Sequence, residues 1–241
     1  HPRDRHPVLP AAHQQEHQQP QTSKLIRHAV PVTANANYRT MLRDIIGPAL
    51  RRHGFKGSAP NWVLVADNGD RAIVNVQSSA WNSADEVRFY VNLAVVPSPW
   101  WSWAQHESPE LAGKKPKQQH GLWQQRLEET QPWSVVDDAS AQNCGADVVD
   151  KLEHQAIPVL RRLIDRHEMI ASIRAGDCGE IRGPDDQIYF DRALAIVISD
   201  NGPSQELDQL LAQLAAEENP HATTENQEIV AWIQAHTPAA K

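Results

Sequence analysis

The sequence predicts an α+β fold, with an N-terminal helix packed on an antiparallel sheet of about five strands in a meander, followed by a C-terminal helical bundle. Three observations predict it. Apolar residues recur every three or four positions near residues 37–54, alternate over 61–96, and return to the helical rhythm after residue 141. Asn68-Gly69 stands between two apolar runs, the strongest short signal for a β-hairpin. Pro and Gly punctuate the chain where the rhythm changes.

Residues 1–36 are rich in His, Gln and Pro and poor in periodic apolar content, so a disordered leader is expected there. Residues 37–140 should hold the helix and sheet, and 141–241 a helical region packed on them. Tyr38, Met41, Leu42, Ile45, Ile46, Ala49 and Leu50 form one helical face, with Gly54 as the stop and Pro48 predicting a kink or a fresh first turn. "NWVLV" and "RAIVNVQSS" are two strands, and "EVRFYVNLAVV" is a third. In that third strand Val87, Phe89, Val91, Leu93 and Val95 share one side, and Arg88, Tyr90 and Asn92 the other. "PSPWWSWAQHESPE" reads as a crossover loop. "LWQQRLEE" and "PWSVVDD" then add two weaker strands. Beyond Ala141, helices are expected around Val148–Leu163, before Gly176, through "DQIYFDRALAIVISDNG", and in two final segments opened by Pro203 and by Thr223-Thr224. "GDCGEIRGPDDQ" is expected as a solvated loop.

Charge and composition exclude some classes of function. The net charge is −7, and the basic residues of the first 40 positions leave an acidic remainder without a basic stripe. Nucleic acid is therefore not expected as the partner. No apolar run approaches the roughly 20 residues of a membrane-spanning helix, and no secretory signal pattern is present. Two cysteines, Cys144 and Cys178, cannot build a disulfide framework, and reduced thiols in a cytoplasmic protein are expected.

The order of particular residues carries a resemblance. A helix ending His53-Gly54-Phe55 precedes an aromatic first strand. A second strand ends Asn75-Val76-Gln77, and the third reads Arg-Phe-x-Val-Asn-Leu from Arg88 to Leu93. "QQRLEETQPWSVVDD" follows as an Arg-Leu segment and an aromatic strand. This series resembles the bacterial domain-of-unknown-function family 4304 over about residues 37–165, and more weakly to 235. The family has no established catalytic residues to carry over. The resemblance implies a bacterial accessory protein, with binding of another protein or neutralisation of a toxin as the associated role.

Catalytic patterns are sparse. His167-Glu168 begins a zincin motif, but Ala171 occupies the place of the second histidine, so a helix start is expected instead. Cys144, His154, His167 and Cys178 match no zinc spacing. No metal and no cofactor are expected. Asp67, Asp70 and Glu86 near the hairpin could serve a divalent-metal hydrolase or nuclease, although Asp is ordinary beside a tight turn. The polar strand face of Gln77, Arg88, Tyr90 and Asn92 is a candidate partner-binding surface. So is the cluster of Trp100, Trp101 and Trp103. Each indole buries on the order of 200 Å², so three exposed together would exceed the usual apolar patch of a monomer. Packing of the cluster against the helical half is favoured, then a docking patch, then a sugar platform. The resulting expectation is a non-catalytic cytoplasmic protein-binding domain, with the metal hydrolase as the alternative.

Overall fold

A computed structural model describes residues 33–128, 131–183, 186–217 and 220–239. Most of the expected leader lies outside the described residues. Thr33 caps the first helix by accepting from the Ala36 N–H, and α1 (Ala34–Met41) begins three residues before the expected Asn37.

The helix does not run straight through Pro48. A π-turn over Leu42–Ile46 separates α1 from α2 (Gly47–Arg52), which has Pro in its first turn. Proline cannot donate, and its ring clashes with the carbonyl four residues back, so one wider turn ahead of it relieves both. The same device recurs later. A π-turn over Leu152–Ala156 joins α4 (Asp138–Lys151) to α5 (Ile157–Leu163), with Pro158 in the first turn of α5. The two bent helices lie side by side, and Gly145 faces Met41 and Ile45 across the contact.

The sheet is antiparallel, with β1 (Lys56–Ser58), β2 (Asn61–Val65), β3 (Arg71–Ser78) and β4 (Val87–Val96) in meander order. β5 (Trp123–Arg126) and β6 (Trp133–Val135) both pair with β4, along different stretches of it. They act as one interrupted edge strand. The sheet thus has six strands in five positions, and β1 is the strand that the sequence reading missed. Asn68 centres the β2–β3 turn as expected. The loop there is five residues long, and Gly69 supplies its left-handed φ of 86°. The alternation in β4 holds: Val87, Phe89, Val91, Leu93 and Val95 enter the main core, where Tyr38 and Trp133 flank the Phe89 ring.

Two expectations need correction. The tryptophan segment is not a loop but a helix, α3 (Ser98–Glu107), entered through Pro97 and Pro99. Proline breaks a helix interior but fits its first turn, so the sequence "PSPWWSW" is a helix start. The segment expected as a solvated loop forms a small hairpin, β7 (Asp177–Cys178) and β8 (Ile181–Arg182). Gly179 at its turn lies so close to Gln124 that a Cβ would come within 1.9 Å of the carbonyl oxygen. Only glycine fits there. Helices α6 (Arg166–Arg174), α7 (Gln187–Ser199), α8 (Gln205–Ala215) and α9 (Pro220–His236) complete the helical half, with α7, α8 and α9 packed on one another. No helix among the described residues is long and apolar enough to cross a membrane.

Candidate functional site

The side of the sheet opposite the main core is divided in two. At one end Ile73, Ala94 and Val96 form a second apolar cluster, and Trp101 of α3 packs on it. At the other end the same side is polar. Successive strands place Asn61 opposite Asn75, Asn75 opposite Asn92, and Asn92 opposite Arg126, so one row crosses β2, β3, β4 and β5.

The row is joined by its own hydrogen bonds. Asn75 donates to Asn61 (2.9 Å), while Asn92 donates to Asn75 (3.2 Å) and to Gln77 (2.9 Å). Arg126 Nε donates to the Asn92 oxygen at 3.4 Å, and its guanidinium lies 4.2 Å from the centre of the Tyr90 ring. Asn92 is therefore buried with its amide satisfied on both ends. Gln77 and Asn61 are exposed, and Asn75, Tyr90 and Arg126 are half-buried. Arg126 makes no ion pair with a carboxylate among the described residues. It is held instead by stacking and by one amide, which keeps its planar donor edge oriented.

The candidate residues named from sequence separate accordingly. Gln77, Tyr90 and Asn92 come together in this network. Arg88 lies at its margin, exposed and paired with Glu86 (2.9 Å), which also accepts from Ser134 (2.7 Å). Both contacts hold the Glu86 carboxyl below its ordinary range, the Arg88 hydrogen bond more strongly. The three tryptophans take different directions because a helix turns about 100° per residue. Trp101 is 6% exposed against the sheet and His120, and Trp103 is 4% exposed and meets Trp232 of α9 edge-on at 5.6 Å. Trp100 stays half-buried against Tyr189. Packing against sheet and helices thus accounts for Trp101 and Trp103.

Asn61, Arg126 and Trp81 were not singled out from sequence. Asn61 was within reach, since it and Asn75 stand equally far from Asn68, the centre of the hairpin. Arg126 was not, because the register of β5 depends on a long connection. Trp81 is 93% exposed in the β3–β4 loop. Its backbone N–H donates to Ser79 (3.2 Å), and the neighbouring Asn82 accepts from the Arg88 N–H (2.8 Å), so the loop is tied by its own side chains.

Of the acidic candidates, Asp70 and Glu86 are committed to other contacts. Asp70 is 1% exposed and bound by Arg166 and the Ser98 N–H. Asp67 is exposed in the turn. His167 and Glu168 open α6 beneath the Asp165 cap, as a helix start should. Among the described residues no three His, Cys, Asp or Glu side chains are grouped so as to hold a metal ion.

Comparison with known proteins gives one finding. No curated protein and no solved structure matches the chain. One family model does match, that of DUF4304, described as a domain of unknown function, over residues 46–162. The match runs from the π-turn before α2 through the whole sheet and α3 to the end of α5, and helices α6 to α9 lie beyond it. The stretch from residue 46 to residue 162, which contains the polar row, is thus what this chain shares with the DUF4304 family.

Proposed function

We propose that this chain is a protein-binding accessory domain without catalysis of its own, which docks its partner on the polar side of the sheet. The observation that carries this reading is the row Asn61–Asn75–Asn92–Arg126, with Gln77 and Tyr90 beside it. It is a rigid, internally bonded set of donors and acceptors whose outer members remain accessible. Such preorganisation lowers the ordering cost of association. An exposed tryptophan on a tied loop supplies the kind of aromatic anchor that interfaces favour.

The finer reading is a toxin-neutralising role in the bacterial cytoplasm. Charge supports it. Residues 41–137 hold ten acidic and ten basic residues, whereas residues 138–241 hold 18 acidic and 8 basic ones. An acidic helical half would steer a basic toxin toward the chain. Two of the three carboxylates that a metal hydrolase would use are engaged, Asp70 by Arg166 and Glu86 by Arg88 and Ser134, which favours the binding reading.

The test is capture of partners by the wild-type chain and by Gln77→Arg and Tyr90→Ala variants. Loss of one partner by variants that melt at the wild-type temperature is the expected result. Equal capture by all three chains would remove the sheet face from consideration. Stabilisation by Mg²⁺ or Mn²⁺ in a thermal-shift series would favour the hydrolase, because a ligand that binds only the native state raises its melting temperature.

A further inference from the structure

Beside Asn61, where the polar row ends, a cavity of about 490 Å³ opens on the same side of the sheet. Its apolar wall is made by Val63, Ile73 and Leu111. Its rim is the sequence Lys114-Lys115-Pro116-Lys117, in which Pro116 is buried and the three lysines are exposed. None of the three pairs with a carboxylate among the described residues, and no Asp or Glu is found among the described residues that line the cavity. In a chain of net charge −7, three unpaired ammonium groups over an apolar wall are a local inversion. Same-sign charges held together without counter-charges repel one another, and an anion between them removes that cost.

His120 adds a directed donor. The Lys117 N–H donates to its Nδ1 at 2.9 Å, which leaves the ring proton of the neutral imidazole on Nε2. Burial first, and then the Lys117 charge, push the His120 pKa down, which favours that neutral form at pH 7. The ring rests against Trp101, with centroids 4.9 Å apart, so its orientation is set by packing.

We infer that this cavity binds a small organic anion, a carboxylate or phosphate group carried on a compact apolar body. The lysines and His120 take the oxyanion, and Val63, Ile73 and Leu111 take the apolar part. The volume lies within the range of small-molecule sites. This inference is independent of the protein-docking reading.

Calorimetric titration of the purified full chain with hexanoate and with phenyl phosphate tests it, with hexan-1-ol and phenol as neutral counterparts. At least one anion should bind saturably in the millimolar range or tighter. Binding should weaken with added salt. It should weaken at least about tenfold in the combined Lys114→Ala, Lys115→Ala and Lys117→Ala variant. Those side chains are exposed, so the variant should melt with the wild type. The inference is overturned if neither anion saturates, if the neutral compounds bind equally well, or if the triple variant binds like the wild type. Partner capture is a separate readout, so a wild-type chain that captures its partner but binds neither anion rejects this site and leaves the docking reading standing.

Discussion

Arg166, at the start of α6, reaches back to Asp70 at the end of the β2–β3 turn and holds both oxygens of its carboxylate with two guanidinium nitrogens. Nε donates to Oδ2 at 2.8 Å, and Nη2 donates to Oδ1. The Arg166 side chain is 10% exposed and that of Asp70 2%. Ser98, the first residue of α3, donates its backbone N–H to the same carboxylate at 2.7 Å. One buried pair therefore ties the hairpin, the tryptophan helix and the helical half together.

Breaking one partner of this pair should be severe. Asp70→Ala leaves the buried guanidinium with only the exposed Asp200, 3.3 Å from Nη1, as counter-charge, and Arg166→Met leaves the buried carboxylate with none. Each should cost about 3–5 kcal/mol in urea unfolding. The double variant should cost clearly less than the sum of the two, because the residues share one interaction. Additive losses would show that the pair is not coupled.

The three neighbouring tryptophans should differ in what they contribute to stability. Trp101→Ala and Trp103→Ala each empty a packed site and should cost about 3–5 kcal/mol. Trp100→Ala, half-buried, should cost distinctly less. Equal losses at all three positions would contradict the directions that α3 imposes.

Trp62 is 1% exposed, and its Nε1 is a buried donor without a hydrogen-bond partner among the described residues. Phenylalanine removes the orphan donor along with part of the ring, and the two effects oppose. Trp62→Phe should therefore cost less than about 1.5 kcal/mol, whereas Trp62→Ala should cost about 3–5 kcal/mol. A Phe variant as unstable as the Ala variant would mean that the indole nitrogen is satisfied.

Glu107, exposed in the last turn of α3, has its pKa raised by partial desolvation and then by the carboxylates of Glu225 and Glu228, against a smaller opposing effect of Arg192. A carboxyl whose folded pKa exceeds its unfolded one binds more protons when folded, so its contribution falls as pH rises between the two values. Glu107→Gln should therefore raise the melting temperature at pH 7. The gain should vanish at acid pH, once the wild-type carboxyl is protonated in both states. A loss of stability at pH 7 would reverse this reading.

Burial pushes the Cys178 thiol up to about 12, while Cys144 is only half-buried and is raised less far. The thiolate is the reactive form, so iodoacetamide at pH 8 should leave Cys178 unmodified in the native chain and label both cysteines after unfolding. Native labelling at Cys178 would count against the packed β7–β8 hairpin.

The elements legible in the residues alone are those whose pattern is local. The alternation from Val87 to Val95 marked the core side of β4, Asn68-Gly69 marked the first hairpin, and His167-Glu168 marked the opening of α6. These are readable because side-chain direction follows backbone period, and turns and caps need particular residues within a few positions. Local pattern misleads at α3, where prolines that suggest a loop sit in the permitted first turn of a helix. Which distant residues meet is settled only by the folded chain. The join of Arg126 to Asn92 needs the register of β5, and Asp70 finds Arg166 only when α6 folds back over the hairpin. The lysines reach Val63 and Ile73 only because the chain after α3 returns across the sheet. Such contacts join positions far apart along the chain, and no local periodicity encodes them. They are set when long loops close and apolar surfaces find one arrangement that buries them together.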